Sequence, residues 1–303
     1  EWMASRVTVE ERWGSWENLQ NMNTEMIDDN KWEIAEGINM SLKDFVHECY
    51  LQPMQENQKR AQEEGWWTDI LIMITEEETR EAIENTKGGT APGPSAILID
   101  VIKCLAKDSL KLLAEFFNSC MREGKIPDNM NAALMRLLPK TETGFYMEKT
   151  RPIALMETLA KLYERIIITR IITALEKHQI LDPGQFGAVP KGGTAAPTRT
   201  LAEVIEDARE TQQELHLASL DLKHAFDSQE YHSQYLTWRA LGLPEHLINI
   251  LINMDAGSKQ PGTAEDQQGV GATTSILLGA GKVTDPFVHG RGVRQGSVGG
   301  PLK

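Results

Sequence analysis

The segment Leu215–Ser228, LHLASLDLKHAFDS, begins with an apolar run that ends at Asp221 and continues into a bulky ring and a second acid. Alternation along a strand would place Leu217, Ser219 and Asp221 on one face. A carboxylate among apolar residues is costly to bury unless it has a partner or a cation. The small neighbours Ala218 and Ser219 leave open space, so Asp221 suits a Mg²⁺ ligand that a phosphate-bearing substrate approaches. The alternative is an acid that caps the turn after the strand.

Two further residues of this segment allow two interpretations each. Phe226 on its own is typical of a hydrophobic core, but beside a metal-bound nucleotide at Asp221 its ring would abut the sugar. Asp227, followed by Ser228, is a favourable N-cap for a helix that we predict over residues 229–241. On these residues alone both interpretations of Asp221 and of Phe226 stay open, whereas Asp227 is better explained by the start of the helix.

Two short predicted strands carry one cation each. The stretch NAALMRLLPK predicts a strand that runs into Pro139 and Lys140, and TRPIAL predicts a second strand that carries Arg151. If these strands pair, Lys140 and Arg151 come together and can hold a triphosphate. The alternative is two surface charges on an ordinary hairpin.

The stretch RGVRQGS is a glycine-rich loop that contains Arg291, Arg294 and Gln295. Glycines allow close approach of a backbone, and the two cations and the amide can contact phosphate, sugar or base. Glycines at the end of a hairpin are the alternative explanation.

The rest of the chain predicts long helices and few, widely separated strands, which indicates an α+β architecture. A capping box formed by Thr75 and Glu78 begins a helix that Gly88 is placed to end, and Gly124 ends an amphipathic helix. The other predicted elements are a long helix over residues 156–181, a helix over 201–213, a helix that begins at Pro244, and a hairpin around Gly279 and Gly281.

The acidic charge of the chain is concentrated on its N-terminal side. The 303 residues carry a net charge of −13. Residues 1–90 hold 20 Asp/Glu and 8 Lys/Arg, whereas the remaining residues hold 24 and 23. We therefore divide the chain into an acidic helical lead-in, residues 1–70, whose tryptophans pack on the next domain, and a main domain, residues 71–303. The charge argues against tight autonomous binding of nucleic acid but leaves room for a locally basic groove.

Composition also bears on the compartment. No apolar run approaches the roughly 18–20 residues of a membrane helix, and the N-terminal stretch lacks the pattern of a signal peptide. The cysteines Cys49, Cys104 and Cys120 are odd in number and have no metal-type spacing. We expect reduced thiols in an intracellular protein without a membrane partner.

An ordered set of motifs, rather than any single one, carries a resemblance to a known family. The stretches LLPK, RPIAL, KLYERII, QFG, SLDLKHAFDS, LGLP and GVRQGS follow one another in this order. Together they resemble the reverse transcriptases of non-LTR (LINE-like) retrotransposons over about residues 70–303. The resemblance implies the fingers and part of the palm of a right-hand polymerase, in the nucleus or the cytoplasm.

The resemblance also implies site residues, partners and a cofactor. The reaction would join a dNTP to a DNA primer 3′-hydroxyl on an RNA template, with two Mg²⁺ ions. The implied roles are metal binding and catalysis for Asp221, a gate against the ribose 2′-hydroxyl for Phe226, phosphate contacts for Lys140 and Arg151, nucleotide and template contacts for Gln295 and Gly296, and nucleic-acid contacts for Gln185 and Arg294.

One departure from the family pattern concerns the second metal-binding carboxylate. The family's aromatic-X-Asp-Asp turn has no counterpart after Asp221, since the chain ends at GGPLK. We therefore expect a fragment, truncated before that turn and inactive by itself. One alternative is a non-catalytic retroelement remnant that at most binds nucleic acid or has a structural role. Another is an unrelated Mg²⁺-dependent phosphotransferase, which would need a different acid near Asp221. The sequence does not indicate an oligomeric state.

Overall fold

The computed structural model of the chain describes residues 52–140, 150–187, 189, 192–221, 225–257, 272–279 and 281–300. Its helices are α1 (Gln52–Glu63), α2 (Glu76–Glu84), α3 (Ile99–Ile102), α4 (Lys107–Glu123), α5 (Thr158–Lys177), α6 (Ala195–Glu210), α7 (Ala225–Ser228), α8 (Tyr231–Ala240) and α9 (Glu245–Ala256). Its strands are β1 (Ala133–Pro139), β2 (Thr150–Met156), β3 (Thr273–Gly279), β4 (Lys282–Val283) and β5 (Phe287–Val288). The predicted α+β class is confirmed. None of the described helices is long and apolar enough to cross a membrane.

A small mixed sheet joins the strands in the order β2-β1-β3-β4, and β5 pairs with β3. β1 and β2, which correspond to the two predicted short strands, pair in an antiparallel manner, whereas β1 and β3 are parallel. The hairpin predicted around Gly279 and Gly281 is confirmed by the antiparallel pairing of β3 with β4. Among the described strands, β2 is therefore an edge strand of the sheet, and it lies beside the site described below.

The core forms around α5, whose side chains Tyr163, Ile167 and Ile171 are almost completely buried. The Tyr163 ring stacks on Phe117 of α4, with 5.5 Å between the ring centroids. Burial in this apolar environment raises the pKa of the Tyr163 hydroxyl. Helix α9 contributes Leu247 and its neighbours to the same core. The long predicted helix is thus confirmed as the central element of the fold.

The helix ends follow the local chemistry for the most part. Thr75 and Glu78 form the predicted capping box at the start of α2, and Gly124 ends α4 with φ 72°, which is a left-handed conformation. Helix α2 ends at Glu84, earlier than the predicted Gly88. Burial opposes ionisation of Glu78, but hydrogen bonds from Arg170 and Thr75 outweigh it and lower the pKa of the Glu78 carboxyl.

The described part of the predicted lead-in packs onto the main core. Trp66 and Trp67 are buried in it, as the sequence predicted for the lead-in tryptophans. The Trp67 indole donates a hydrogen bond of 2.9 Å to the Leu241 carbonyl, and Gln58 donates one of 2.9 Å to the Arg239 carbonyl. Residues 1–51, which hold the rest of the lead-in together with Cys49, lie outside the described residues.

The strand predicted over residues 215–221 is wrong. This segment has no regular secondary structure, and the Leu220 side chain is 96% exposed. A strand is stable only when its backbone groups pair with a neighbour and one of its faces is buried. None of the described strands pairs with this segment, so its alternating pattern has no surface to pack against.

Candidate functional site

The β1–β2 hairpin places two predicted site cations at the same end of the sheet. In the register, Leu138 lies opposite Arg151 and Pro139 lies opposite Thr150. Lys140 follows directly, so its position is diagonal to that of Arg151. Both cations are exposed, and neither has an ion pair with any residue that the structure describes. The predicted juxtaposition is confirmed, and the two charges are accessible to an anion from solvent.

The predicted glycine-rich loop, RGVRQGS at residues 291–297, is part of a longer irregular stretch. We call residues 292–300 of this stretch the glycine-rich loop, which lies directly against β2. The Ala154 amide donates a hydrogen bond of 2.6 Å to the Gln295 carbonyl. Gly296 has φ 125°, and a Cβ at this position would lie 2.4 Å from the Ala154 carbonyl oxygen. Only glycine fits such a contact. The loop therefore places Gln295 and Gly296 beside the strand that carries Arg151.

Arg294 lies in the interior and has a structural role. Its side chain is 5% exposed, and its guanidinium donates to the carbonyls of Asn131, at 2.8 Å, and Met254. Burial lowers the pKa of Arg294, while the nearby carboxylates of Asp255 and Glu164 act in the opposite direction. The predicted contact between Arg294 and nucleic acid is not supported, because its hydrogen bonds are directed inward, where they tie the loop to α9 and to the short 3-10 helix Asp128–Asn131 that precedes β1.

Sequence reasoning missed Glu164, which anchors the other end of the loop. This α5 carboxylate is fully buried and accepts hydrogen bonds from Ser297 Oγ at 2.5 Å, Val298 N at 2.9 Å and Gly299 N at 3.3 Å. A signal was available in the sequence. Glu164 lies four residues after Ala160, on the face of α5 that the apolar residues bury, where an acid needs a partner.

Phe226 lies next to the same loop, in the single turn α7. Its carbonyl accepts a hydrogen bond of 2.7 Å from the Val293 amide, and its ring would lie 3.3 Å from a Cβ on Gly300. The loop therefore contacts Phe226 on one side and β2 on the other. Asp227 lies within α7, whereas α8 begins at Tyr231 with Glu230 as its N-cap. The predicted capping role of Asp227 is therefore wrong.

Asp221 is exposed at the end of the irregular segment, and residues 222–224, which separate it from α7, lie outside the described residues. Among the residues that the structure describes, no group of three or more His, Cys, Asp or Glu side chains could hold a metal ion. One accessible carboxylate fits a hard cation that takes its remaining ligands from substrate phosphates and water. It does not fit a metal held by protein ligands alone.

Gln185 lies elsewhere in the molecule, in the turn after α5. Its side-chain amide donates a hydrogen bond of 2.7 Å to the Gly187 carbonyl. It lines a pocket of about 280 Å³ with mainly apolar walls that include Leu175 and Leu241. No hydrogen bond among the described residues links Gln185 to β1, β2 or the 292–300 loop. The structure thus brings Phe226, Gln295 and Gly296 together at the 292–300 loop. It places Arg151 and Lys140 near one another on the hairpin whose β2 strand this loop contacts.

Comparisons with known proteins show which proteins the chain resembles. The profile of the reverse transcriptase (RNA-dependent DNA polymerase) family matches residues 138–303. The chain is 27% identical over 233 residues to the retrovirus-related Pol polyprotein from the type-2 retrotransposable element R2DM of Drosophila melanogaster. The aligned region covers 77% of the chain and 20% of that protein.

Two further relatives give similar values. The RNA-directed DNA polymerase from the mobile element jockey of Drosophila funebris is 28% identical over 229 residues, which are 75% of the chain and 23% of that protein. The Pol polyprotein from the type-1 retrotransposable element R2 of Popillia japonica is 28% identical over 229 residues, 76% of the chain and 29% of that protein. The chain thus spans less than a third of the length of each of these relatives.

Proposed function

We propose a polymerase role for this chain because it belongs to the reverse transcriptase family. The role is to bind the incoming nucleotide and the template in the RNA-directed DNA polymerase of a non-LTR retrotransposon. The substrates are dNTPs, an RNA template and a DNA primer, and the cell compartment is the nucleus or the cytoplasm. The primer 3′-hydroxyl forms a bond to the α-phosphorus of the dNTP, and the bond to the departing pyrophosphate breaks.

The observation that carries the proposal is the position of the 292–300 loop between Phe226 and β2. The Val293 amide bonds to the Phe226 carbonyl, and the Gln295 carbonyl bonds to the Ala154 amide in β2. The aromatic ring and the glycine-lined backbone therefore lie together, and the two cations are carried by the hairpin that the loop contacts. These groups suit the sugar, the base and the phosphates of a nucleotide respectively.

The residues have separate tasks in this proposal. Lys140 and Arg151 hold the triphosphate, since a guanidinium binds phosphate oxygens in a bidentate manner and an ammonium acts as a point charge. Phe226 contacts the sugar and excludes a 2′-hydroxyl. Gln295 and Gly296 contact the nucleotide and the template. Positioning and neutralisation of charge account for most of the catalysis in phosphoryl chemistry.

Reverse transcriptases use a divalent metal ion in general, and we propose Mg²⁺ with Asp221 as the carboxylate of this chain that holds it. When bound, such an ion neutralises the phosphate charge and orients the reacting oxygens. Asp221 supplies one anionic ligand that faces solvent, and substrate phosphates and water supply further ligands. Gln185, which follows the C-terminal end of α5 in the chain, remains a proposed contact for nucleic acid.

Nucleotide binding by the chain tests the proposal directly. We expect a fluorescent dNTP analogue to bind in the presence of Mg²⁺, and Arg151→Gln to weaken this binding about tenfold, equivalent to ~1.4 kcal/mol. Lys111→Gln is the matched control, because Lys111 is an exposed cation of α4, outside the sheet. Equal affinities of the Arg151→Gln variant and the unchanged chain would contradict the assignment.

Primer extension on an RNA template separates this proposal from a second one, a non-catalytic nucleic-acid-binding or structural role. The exposed, irregular position of Asp221 favours the second role for this polypeptide by itself. We expect no extension by the chain alone, because one carboxylate does not organise two metal ions. Extension that is lost in Asp221→Asn would show that the chain is an active polymerase and would exclude the non-catalytic role.

A further inference from the structure

The outer face of the β1–β2 hairpin carries a third cation that none of the assignments above uses. Side chains alternate along a strand, so Arg136, Leu138 and the position of Lys140 share one face of β1. Arg151 joins them from β2, because it lies opposite Leu138. We call Arg136, Arg151 and Lys140 the outer cationic row. All three residues are exposed.

The row is positively charged along its whole length. Neither β1, ALMRLLP, nor β2, TRPIALM, contains an acidic residue. No ion pair or hydrogen bond within the described part of the chain occupies the guanidinium of Arg136. The net charge of the chain is −13, so a strand face on which every charged residue is a cation is a local exception. It is a surface suited to an anion.

The length of the row exceeds the needs of one triphosphate. Same-face positions in a strand are ~7 Å apart, so the Cα atoms of Arg136 and Lys140 are roughly 14 Å apart. The three phosphorus atoms of a triphosphate are joined through single oxygens and form a compact group, which Lys140 and Arg151 together can hold. Arg136 therefore remains at the opposite end of the row.

The surroundings of Arg136 suit the binding of a nucleic-acid strand. Its neighbour Met135 lies opposite Ala154, the residue that bonds to Gln295, so Arg136 lies at the end of the row that is closer to the glycine-rich loop. Leu138, which is 40% exposed, separates Arg136 from Lys140 on the same face. A row in which cations flank an apolar side chain suits a nucleic-acid strand, because phosphates and sugars alternate along its backbone.

From this geometry we infer that Arg136 binds a backbone phosphate of the single-stranded RNA template, whereas Arg151 and Lys140 bind the dNTP. The inference rests on the proposed function, since it assigns the template to one end of a row whose other end holds the nucleotide. It identifies Arg136 as a template-binding residue beyond those that the family resemblance implies.

The test measures binding of a fluorescein-labelled oligouridine RNA to the chain by anisotropy over a series of salt concentrations. Each lost phosphate contact to a single strand lowers the slope of log K against log salt by ~0.7. We expect this decrease in Arg136→Gln and full recovery in Arg136→Lys, because an ammonium also binds phosphate. Lys111→Gln is the control and should leave the slope unchanged, and thermal unfolding checks that each variant is folded.

A second titration with the fluorescent dNTP analogue separates the two ends of the row. We expect Arg136→Gln to change dNTP affinity less than twofold, whereas Arg151→Gln weakens it. The inference is overturned if the RNA slope of Arg136→Gln equals that of the unchanged chain, if the chain binds no RNA at low salt, or if Arg136→Gln weakens dNTP binding as much as Arg151→Gln. If Arg151→Gln weakens dNTP binding but Arg136→Gln leaves the RNA slope unchanged, this inference alone is overturned. If Arg151→Gln keeps full dNTP affinity, the result counts against the proposed function.

Discussion

The glycine-rich loop of residues 292–300 and the segment of residues 213–221 both carry residues of the proposed site, but the fold holds them differently. The loop is fixed by buried groups on both sides, namely Glu164 from α5 and its own Arg294. The segment before Asp221 is irregular, and its apolar side chains are exposed. The part of the site that faces the nucleotide is thus preorganised by the fold, whereas the part that carries the metal ligand is not.

The largest effect that we expect concerns the anchor of the loop. Glu164→Ala removes three hydrogen bonds to a buried carboxylate and leaves their donors unpaired. We expect a loss of about 3–5 kcal/mol in the free energy of unfolding, measured with urea. Glu115→Ala, which removes an exposed acid of α4, is the control. Equal losses in the two variants would show that Glu164 does not hold the loop.

A smaller effect is expected where the loop meets β2. Gly296→Ala introduces a Cβ that would lie 2.4 Å from the Ala154 carbonyl oxygen, at φ 125°. We expect thermal unfolding to show a loss of about 1–3 kcal/mol, together with weaker dNTP binding. Gly290→Ala is the matched control, since a Cβ there would meet no atom within 4 Å. A tolerated Gly296→Ala would mean that the loop does not pack closely on β2.

The smallest effect should come from the exposed segment. Leu220→Ala is expected to change the free energy of unfolding by less than about 0.5 kcal/mol, because the side chain is 96% exposed. Leu162→Ala, at a position that is 1% exposed in α5, should lose about 2–5 kcal/mol. A loss above about 1 kcal/mol for Leu220→Ala would indicate that the segment packs against other residues in solution and would remove the contrast with the loop.

Local chemistry made much of the fold predictable from the sequence. The capping box of Thr75 and Glu78 and the left-handed Gly124 depend on a few adjacent residues, and both occur where the sequence predicts them. The pairing of β1, which Lys140 follows, with β2, which carries Arg151, was predictable because consecutive antiparallel strands can be joined directly, whereas parallel strands need a crossover connection.

Tertiary context accounts for what the sequence could not predict. The alternation in residues 215–221 reports a propensity, but a strand forms only beside a partner. The motif RGVRQGS shows that Arg294 is charged but not which way its side chain points. That direction depends on the carbonyls of Asn131 and Met254, which are far away in the chain. For Glu164 the buried face of α5 indicated that a partner was needed, but not which one, because its partners follow it by more than 130 residues.

The contact between Ala154 and the loop has a consequence for self-association. Among the described strands, β2 is the last on its side of the sheet, and an edge strand offers unpaired amides to a second molecule. Within β2 the amides of residues 152 and 154 point to the same side, since they are two residues apart. Pro152 has no amide hydrogen, and the amide of Ala154 is already bonded to Gln295. The loop that borders the proposed nucleotide site therefore also covers part of the β2 edge that could otherwise pair with a second molecule.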